Sequence, residues 1–187
     1  MWNKKALTLP YTSLACDMSK ADVLPPGAIR VSTLLGEMLL ASDGHALVFA
    51  TFVDTFPHDL SSVSAGPGGG CLGNFFQEVS YQMDNYLHGR QRKFTVPVCP
   101  RGSHFSQRVW SVLTKIPPGS WTTYGAVADD LGCPKSARAV GAACRRNPIA
   151  IFIPCHRVLS KSRQLAGYTG GLCRKALLLY LERIFYS

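Results

Sequence analysis

Apolar positions recur along this chain with two different spacings. From Ile29 they come in short runs: Ile29 with Val31, then Leu34-Leu35, Met38-Leu39-Leu40 and Leu47-Val48-Phe49. The turn-forming cluster Ser42-Asp43-Gly44 separates the last two runs, which predicts a hairpin of residues 37–41 with 46–52. Further on, Phe75, Val79, Met83 and Tyr86-Leu87 fall at helical spacing, so 74–87 reads as a helix ended by His88-Gly89. Residues 94–98 read as a short strand, and Pro97 and Pro100 place it at an edge or an exit. Between hairpin and helix, Ser61-Ser62 and Gly66-Pro67-Gly68-Gly69-Gly70 form a flexible connector. That tract lacks the Lys-Ser/Thr ending of a phosphate-binding loop.

Beyond residue 100 the helical spacing dominates. Phe105, Val109, Val112-Leu113 and Ile116 line one face of a helix stopped by Pro117-Pro118-Gly119. Thr122-Thr123 can cap a second helix, with Tyr124, Val127, Ala128 and Leu131 inside and Gly132 at its end. Pro134 stands where a first-turn proline is tolerated, and 136–146 forms a third helix ended by Asn147-Pro148. Two short helices about a tight glycine turn predict a helix-turn-helix. Residues 149–153 are all apolar and read as a buried strand, and a last helix begins after Gly170-Gly171. The fold class is therefore α/β. A poorly structured leader, 1–28, precedes a small N-terminal α/β domain, 29–100, and a mostly helical C-terminal domain, 101–187.

Composition sharpens this picture where charge is concerned. Residues 1–100 hold 7 Lys and Arg against 8 Asp and Glu, whereas 101–187 hold 13 against 3, out of 20 and 11 in the chain. A basic half beside a neutral one is the footprint of a polyanion partner, and nucleic acid is the leading candidate. The third helix fits that partner: Ala137, Ala139, Gly141, Ala142 and Ala143 are small, while Arg138, Arg145 and Arg146 are long and cationic. Small side chains let a backbone approach DNA, and arginines reach phosphates or enter a groove. Seven cysteines without a Cys-x-x-Cys pair argue against a disulfide framework and a thiolate zinc site, and favour a reducing compartment. Lys4 and Lys5 precede a stretch too polar for a signal peptide, and no apolar run is long enough to span a bilayer. An intracellular protein without membrane contact is expected, in the nucleus of a eukaryote or the cytoplasm of a prokaryote. Nothing in the sequence marks a dimer seam, so a monomer is expected too.

One cysteine has a reactive context. Pro154-Cys155-His156-Arg157-Val158 follows the apolar run, which puts Cys155 at a strand end with a histidine and an arginine directly after it. Cationic neighbours favour the thiolate, which is the nucleophile. A histidine base needs an orienting partner. Of the three acids in the second half, Asp129, Asp130 and Glu182, the last lies on the C-terminal helix and is the natural candidate. Arg157 itself reads as a neutraliser of phosphate or a packing residue.

These residues resemble the active-site motif of the methylated-DNA–protein-cysteine methyltransferases, also called O6-alkylguanine-DNA alkyltransferases. Ser136-Ala137-Arg138-Ala139-Val140-Gly141 is similar to that family's recognition helix, Arg145-Arg146-Asn147-Pro148 to its hinge, and Gly167-Tyr168-Thr169-Gly170-Gly171-Leu172 to the loop over its alkyl pocket. Motif order fits from Phe105 to Glu182, and weaker similarity reaches back to Leu35-Gly36-Glu37. The resemblance implies a ribonuclease-H-like N-terminal domain and a winged-helix-like C-terminal one. It also implies repair of double-stranded DNA by single, irreversible transfer of an alkyl group from O6-alkylguanine to Cys155, with O4-alkylthymine as a further substrate left open.

The roles it implies are specific. Cys155 accepts the alkyl group, His156 activates it through a water, and Glu182 holds His156. Tyr124 donates a proton to the departing purine, and the Thr169 backbone N–H stabilises charge on O6. Carbonyls of Cys155 and Val158 accept from the exocyclic amine, with Tyr168 and Gly170 in the pocket loop. Arg138 fills the stack left by the extruded nucleotide, Ala137 and Arg145 lie against DNA, and Asn147 ties the recognition helix to the active-site turn. No cofactor is implied. Ala41 stands where some relatives carry a zinc ligand, so no metal is expected. Arg146 replaces a glycine of several relatives and strengthens DNA binding in this reading. Ala150 replaces a proline, a change that would admit bulkier alkyl groups. A lesion sensor of the alkyltransferase-like kind would lack the thiol. A transcription regulator would leave Pro154–Val158 without purpose, and a cysteine hydrolase would turn over repeatedly.

Overall fold

The computed structural model describes residues 27–55 and 70–186. The N-terminal half is a three-stranded antiparallel meander, β1 (Gly27–Thr33), β2 (Gly36–Ser42) and β3 (Leu47–Phe52), followed by helix α1 (Gly70–Leu87). The predicted hairpin is β2–β3, with Met38 opposite Phe52 and Leu40 opposite Ala50. The run from Ile29 is a strand as well, pairing Ile29 with Leu40 and Val31 with Met38. The leader expectation lies outside the described residues except for Gly27 and Ala28, which open β1. The connector expectation lies outside them too, apart from Gly70, where α1 starts four residues ahead of the predicted helix. Met38, Leu39 and Leu40 are fully buried in the central strand. Each contributes about 1.5–3 kcal/mol of burial free energy.

Residues 94–98 correct the expectation of a strand. Only Val98 bridges to the sheet, parallel to Leu47, through Leu47 N–H to Pro97 O and Cys99 N–H to Leu47 O, both 2.9 Å. Pro97 and Pro100 have no N–H, so no ladder can continue. A second chain segment meets the same edge. Ala50 N–H donates to Pro148 O and Ala150 N–H to Ala50 O, both 2.8 Å, which fastens the segment before Cys155 onto β3.

The C-terminal half comprises α2 (His104–Leu113), α3 (Tyr124–Asp130), α4 (Ala137–Arg145) and α5 (Leu172–Leu181), with a two-residue parallel pair, β4 (Thr122–Thr123) beside β5 (Val158–Leu159). Ser103 caps α2 by accepting the Ser106 N–H at 3.3 Å, and Thr123 caps α3 by accepting the Ala126 N–H at 3.1 Å. Each such cap is worth about 1 kcal/mol. Ile116 lies in the turn beyond α2, and Pro134 in the turn before α4 instead of the helix's first turn. Helices α3 and α4 pack on each other and on α2, which makes the helix-turn-helix. The Trp110 indole N–H donates to Ala143 O at 3.0 Å and locks α2 to α4.

Residues 149–153 also depart from the predicted strand. They are buried, but after the bridge at Ile149 the chain coils back on itself. Phe152 N–H donates to Ala150 O at 2.9 Å and Ile153 N–H to Ile149 O at 3.0 Å, while Ile151 takes a left-handed φ of 72°. The buried backbone is satisfied locally, without a partner strand.

Candidate active site

That coil delivers Cys155 to the start of a 3-10 turn, Cys155–Arg157, which runs into β5. Asn147, just past α4, holds it in place. Its side-chain amide donates to Ile153 O at 2.9 Å and to the Cys155 Sγ at 3.2 Å, and its Oδ1 accepts the Ile149 N–H at 3.1 Å. Asn147 therefore connects the end of α4 to the Cys155 turn. The thiol is 7% exposed. Burial pushes its pKa up, and the Asn147 hydrogen bond and the charge of Lys175 offset that only in part. The sequence expectation of a cation-stabilised thiolate beside Arg157 needs correcting, because Arg157 is engaged elsewhere.

Arg157 belongs to a buried carboxylate cluster. Its Nε donates to both Glu182 oxygens at 3.1 and 2.9 Å and its NH2 to Oε1 at 2.7 Å, while NH1 donates to Ile116 O at 2.5 Å. Glu182, at the end of α5, also meets His156 Nε2 at 3.1 Å and accepts the Gly119 N–H at 3.3 Å. A further donor is the Tyr86 hydroxyl, from the last turn of α1, which lies 3.3 Å from His156 Nε2. Burial pushes the Glu182 carboxyl up, but the hydrogen bonds and charges of His156 and Arg157 more than reverse this and hold it well below the usual carboxylate range. His156 is completely buried, and burial keeps its pKa below the ordinary histidine value despite Glu182. With Nε2 committed to Glu182, Nδ1 has no hydrogen-bond partner among the described residues and is the nitrogen free to take a proton.

Tyr124 opens α3, and its ring lies against α4 where a Cβ on Gly141 would sit 3.7 Å away. Burial above all, with Cys144 and Cys155 nearby, pushes its hydroxyl up to about 12, so it is protonated at neutral pH. On α4, Val140, Ala143 and Cys144 face inward, while Arg138 and Arg145 are exposed and Ala137 is half-buried. Thr169 Oγ1 donates to Arg145 O at 2.7 Å and attaches the pocket loop to the end of that helix. Gly170 is buried beneath Tyr168, whose ring meets His156 edge-on at 6.5 Å between centroids. The Val158 carbonyl already accepts from Lys175 Nζ at 2.7 Å, and Ala166 O does so at 2.6 Å. Lys175 is fully buried, and burial brings its ammonium down to about 8. A cavity of about 340 Å³ lies behind the turn among Phe94, Ile116, Phe152, Pro154 and Arg157, and Cys155 does not line it.

The structure thus brings Cys155, His156, Glu182, Asn147 and Tyr168 together, with Tyr124 and α4 alongside. Sequence reasoning missed Tyr86 and Lys175. Tyr86 sits on the apolar stripe of α1 and reads as core. Lys175, three residues before the buried Leu178, was a visible cation on a buried stripe. Ala150 is held to β3 by its N–H, so a proline there would break that bond besides altering volume. Among the described residues no cluster of three or more His, Cys, Asp or Glu could hold a metal ion.

The chain matches two family models. The 6-O-methylguanine DNA methyltransferase ribonuclease-like domain covers residues 31–100, and the DNA binding domain of the same family covers residues 104–184. It is 43% identical over 149 residues to a methylated-DNA–protein-cysteine methyltransferase of Mycobacterium leprae, covering 80% of this chain and 87% of that one. A protein of the same name from Methanosarcina acetivorans is 39% identical over 148 residues, 79% of this chain and 92% of that one. The crystal structure of Mycobacterium tuberculosis OGT in complex with DNA superposes with a TM-score of 0.73 at 37% identity, covering 83% of this chain and 92% of that one. Both halves, in this order, match the same description, and the chain belongs to the 6-O-methylguanine DNA methyltransferase family.

Proposed function

We propose that the chain repairs duplex DNA by moving a methyl or larger alkyl group from O6 of guanine to its own Cys155. The observation that carries this reading is a thiol held by Asn147 in the residue before a buried histidine, whose Nε2 is bound to Glu182 and whose Nδ1 has no hydrogen-bond partner among the described residues. The lesion lies inside the helix, so its nucleotide must be extruded first, at a cost of about a few kcal/mol. Arg138, exposed on α4, fills the vacated stack, and Ala137 and Arg145 lie along the backbone. His156 takes the Cys155 proton through a water. The sulfur then attacks the alkyl carbon in line, an S–C bond forms, and the C–O6 bond breaks with its electrons going to guanine. The Thr169 backbone N–H meets the charge gathering on O6, and Tyr124 gives its proton to the purine ring. His156 then releases the proton it took from Cys155 to solvent and the Tyr124 phenolate regains one, so that the net proton transfer is from thiol to guanine. The carbonyls of Cys155 and Val158 select guanine through its exocyclic amine, the latter with one lone pair already used by Lys175.

The product is a thioether with no good leaving group, so each molecule acts once. Residues 101–187 carry this chemistry and 29–100 support it. We assign the protein to the interior of the cell, as a monomer, and among the described residues no helix is long and apolar enough to cross a membrane. The test mixes the protein with duplex DNA bearing O6-methylguanine, then measures intact mass and maps the modified peptide. One methyl per molecule on Cys155 is expected, and a Cys155→Ala control that still binds DNA should gain none. A methyl on another cysteine, or turnover beyond stoichiometry, overturns the assignment.

A further inference from the structure

One side chain ties the pocket loop to the opposite half of the molecule. Arg174, in the first turn of α5, donates through NH1 to Gly170 O at 3.0 Å within the loop. The same guanidinium reaches the N-terminal half at three places. NH1 and NH2 donate to the two carboxylate oxygens of Asp54 at 3.0 and 2.8 Å, Nε donates to Leu35 O at 2.7 Å, and the group lies 4.1 Å over the ring of Phe52. Two glycines are shaped to this arrangement. A Cβ on Gly36, the first residue of β2, would stand 2.9 Å from Arg174 NH2, at a φ of +112° that already favours glycine. A Cβ on Gly170 would fall 2.6 Å from the Phe52 ring and 2.7 Å from the Tyr168 ring.

Loop, guanidinium and sheet therefore form one contact chain: Phe52 and Asp54 on the β3 side, Arg174 between, and Gly170 beside Thr169 and Tyr168. The planar fork makes four hydrogen bonds to four separate acceptors, a geometry that a lysine cannot reproduce. Thr169 is anchored at the loop's other side to Arg145 O. The backbone of 169–170 is thus clamped between the recognition helix and the N-terminal sheet.

We propose that Arg174 is a positioning residue for alkyl transfer, through which the N-terminal sheet sets the distance of the 169–170 backbone from Cys155 and so the alkyl size the pocket accepts. This rests on the alkyl-transfer reading above. The N-terminal half thereby acts on specificity without touching the substrate. Loosening the clamp lets the loop recede, which weakens the donor for O6 and gives a bulky group more room.

The full chain and the variants Arg174→Ala, Arg174→Lys and Asp54→Asn are compared below all their melting temperatures. One readout is transfer rate with duplexes carrying O6-methyl- or O6-benzylguanine, and the other is amide exchange of residues 168–171 in the free protein. For Arg174→Ala we expect a fall of about tenfold in methyl transfer, a benzyl-to-methyl rate ratio raised at least threefold, and faster exchange of the loop amides. Arg174→Lys should rescue little, and Asp54→Asn should shift the ratio in the same direction by a smaller factor. A residue that serves only stability would lower the melting temperature and leave both ratio and loop exchange unchanged, which overturns the proposal. Should the wild type accept no alkyl group, the alkyl-transfer reading falls, and unchanged or faster loop exchange still decides for or against the clamp.

Discussion

Glu182 serves two nitrogen donors at once, and the geometry ranks them. Arg157 contacts it with two nitrogens, whereas His156 offers a single Nε2 at 3.1 Å. The carboxylate is ionised for Arg157, and His156 inherits a fixed acceptor that orients its ring. Removing the charge strands a buried guanidinium, so Glu182→Gln should destabilise the fold by about 3–5 kcal/mol. Tyr86→Phe removes one hydrogen bond to a charged group and should cost about 1.5–3 kcal/mol. Urea unfolding of both variants checks the order, and a Tyr86 variant as costly as the Glu182 one would show that the hydroxyl, not the guanidinium, dominates. The sequence made Glu182 legible because the second half holds so few acids. It hid Tyr86, because a tyrosine on an apolar helical stripe looks like core until the packing puts its hydroxyl beside a carboxylate.

Helices were easier to read than strands, for a physical reason. The stripes of α2 and α3 and the Thr123 cap follow from local periodicity and a local hydrogen bond, whereas the Ser103 cap of α2 was not read from the sequence. Apolar runs such as 94–98 and 149–153 announce burial but not conformation. One ends at prolines that cannot extend a ladder, and the other satisfies its backbone by coiling. Helix α4 allows a sharper expectation. The arginines on it and at its C-cap are exposed, and their expected roles differ: Arg145 and the C-cap Arg146 lie against the DNA backbone, while Arg138 enters the stack. For Arg145→Ala or Arg146→Ala, the slope of log affinity for undamaged duplex against log salt should fall by about 1. Arg138→Ala should leave that slope nearly intact but slow methyl transfer at least tenfold. Fluorescence anisotropy across a salt series, with single-turnover kinetics alongside, measures both. An Arg138 variant that loses slope and keeps its rate would place that side chain on a phosphate.

At the scale of the molecule the two halves share one buried electrostatic site. Tyr86 comes from α1, His156 and Arg157 from the active-site turn, and Glu182 from the end of α5, while β3 bonds directly to the segment before Cys155. Acid should therefore unfold both halves together. Glu182 has its pKa held well below the ordinary 4.5 by His156 and Arg157, after burial alone would have raised it. As pH falls through that ordinary value, the unfolded chain binds a proton that the native protein refuses. Stability from this group is complete above about pH 4.5 and drains away below it, which is the sign required for a depressed carboxylate. The melting temperature of the wild type should fall steeply with pH in that window, and Glu182→Gln, less stable throughout, should show a shallower fall. Protection of the β1–β3 amides should vanish in the same pH interval as the environment of the buried Trp110 changes. Loss of the sheet at a distinctly higher pH than loss of the tryptophan signal would mean that the halves are coupled only weakly. The Tyr86–Glu182 contact would then be a local hydrogen bond with no part in joining them.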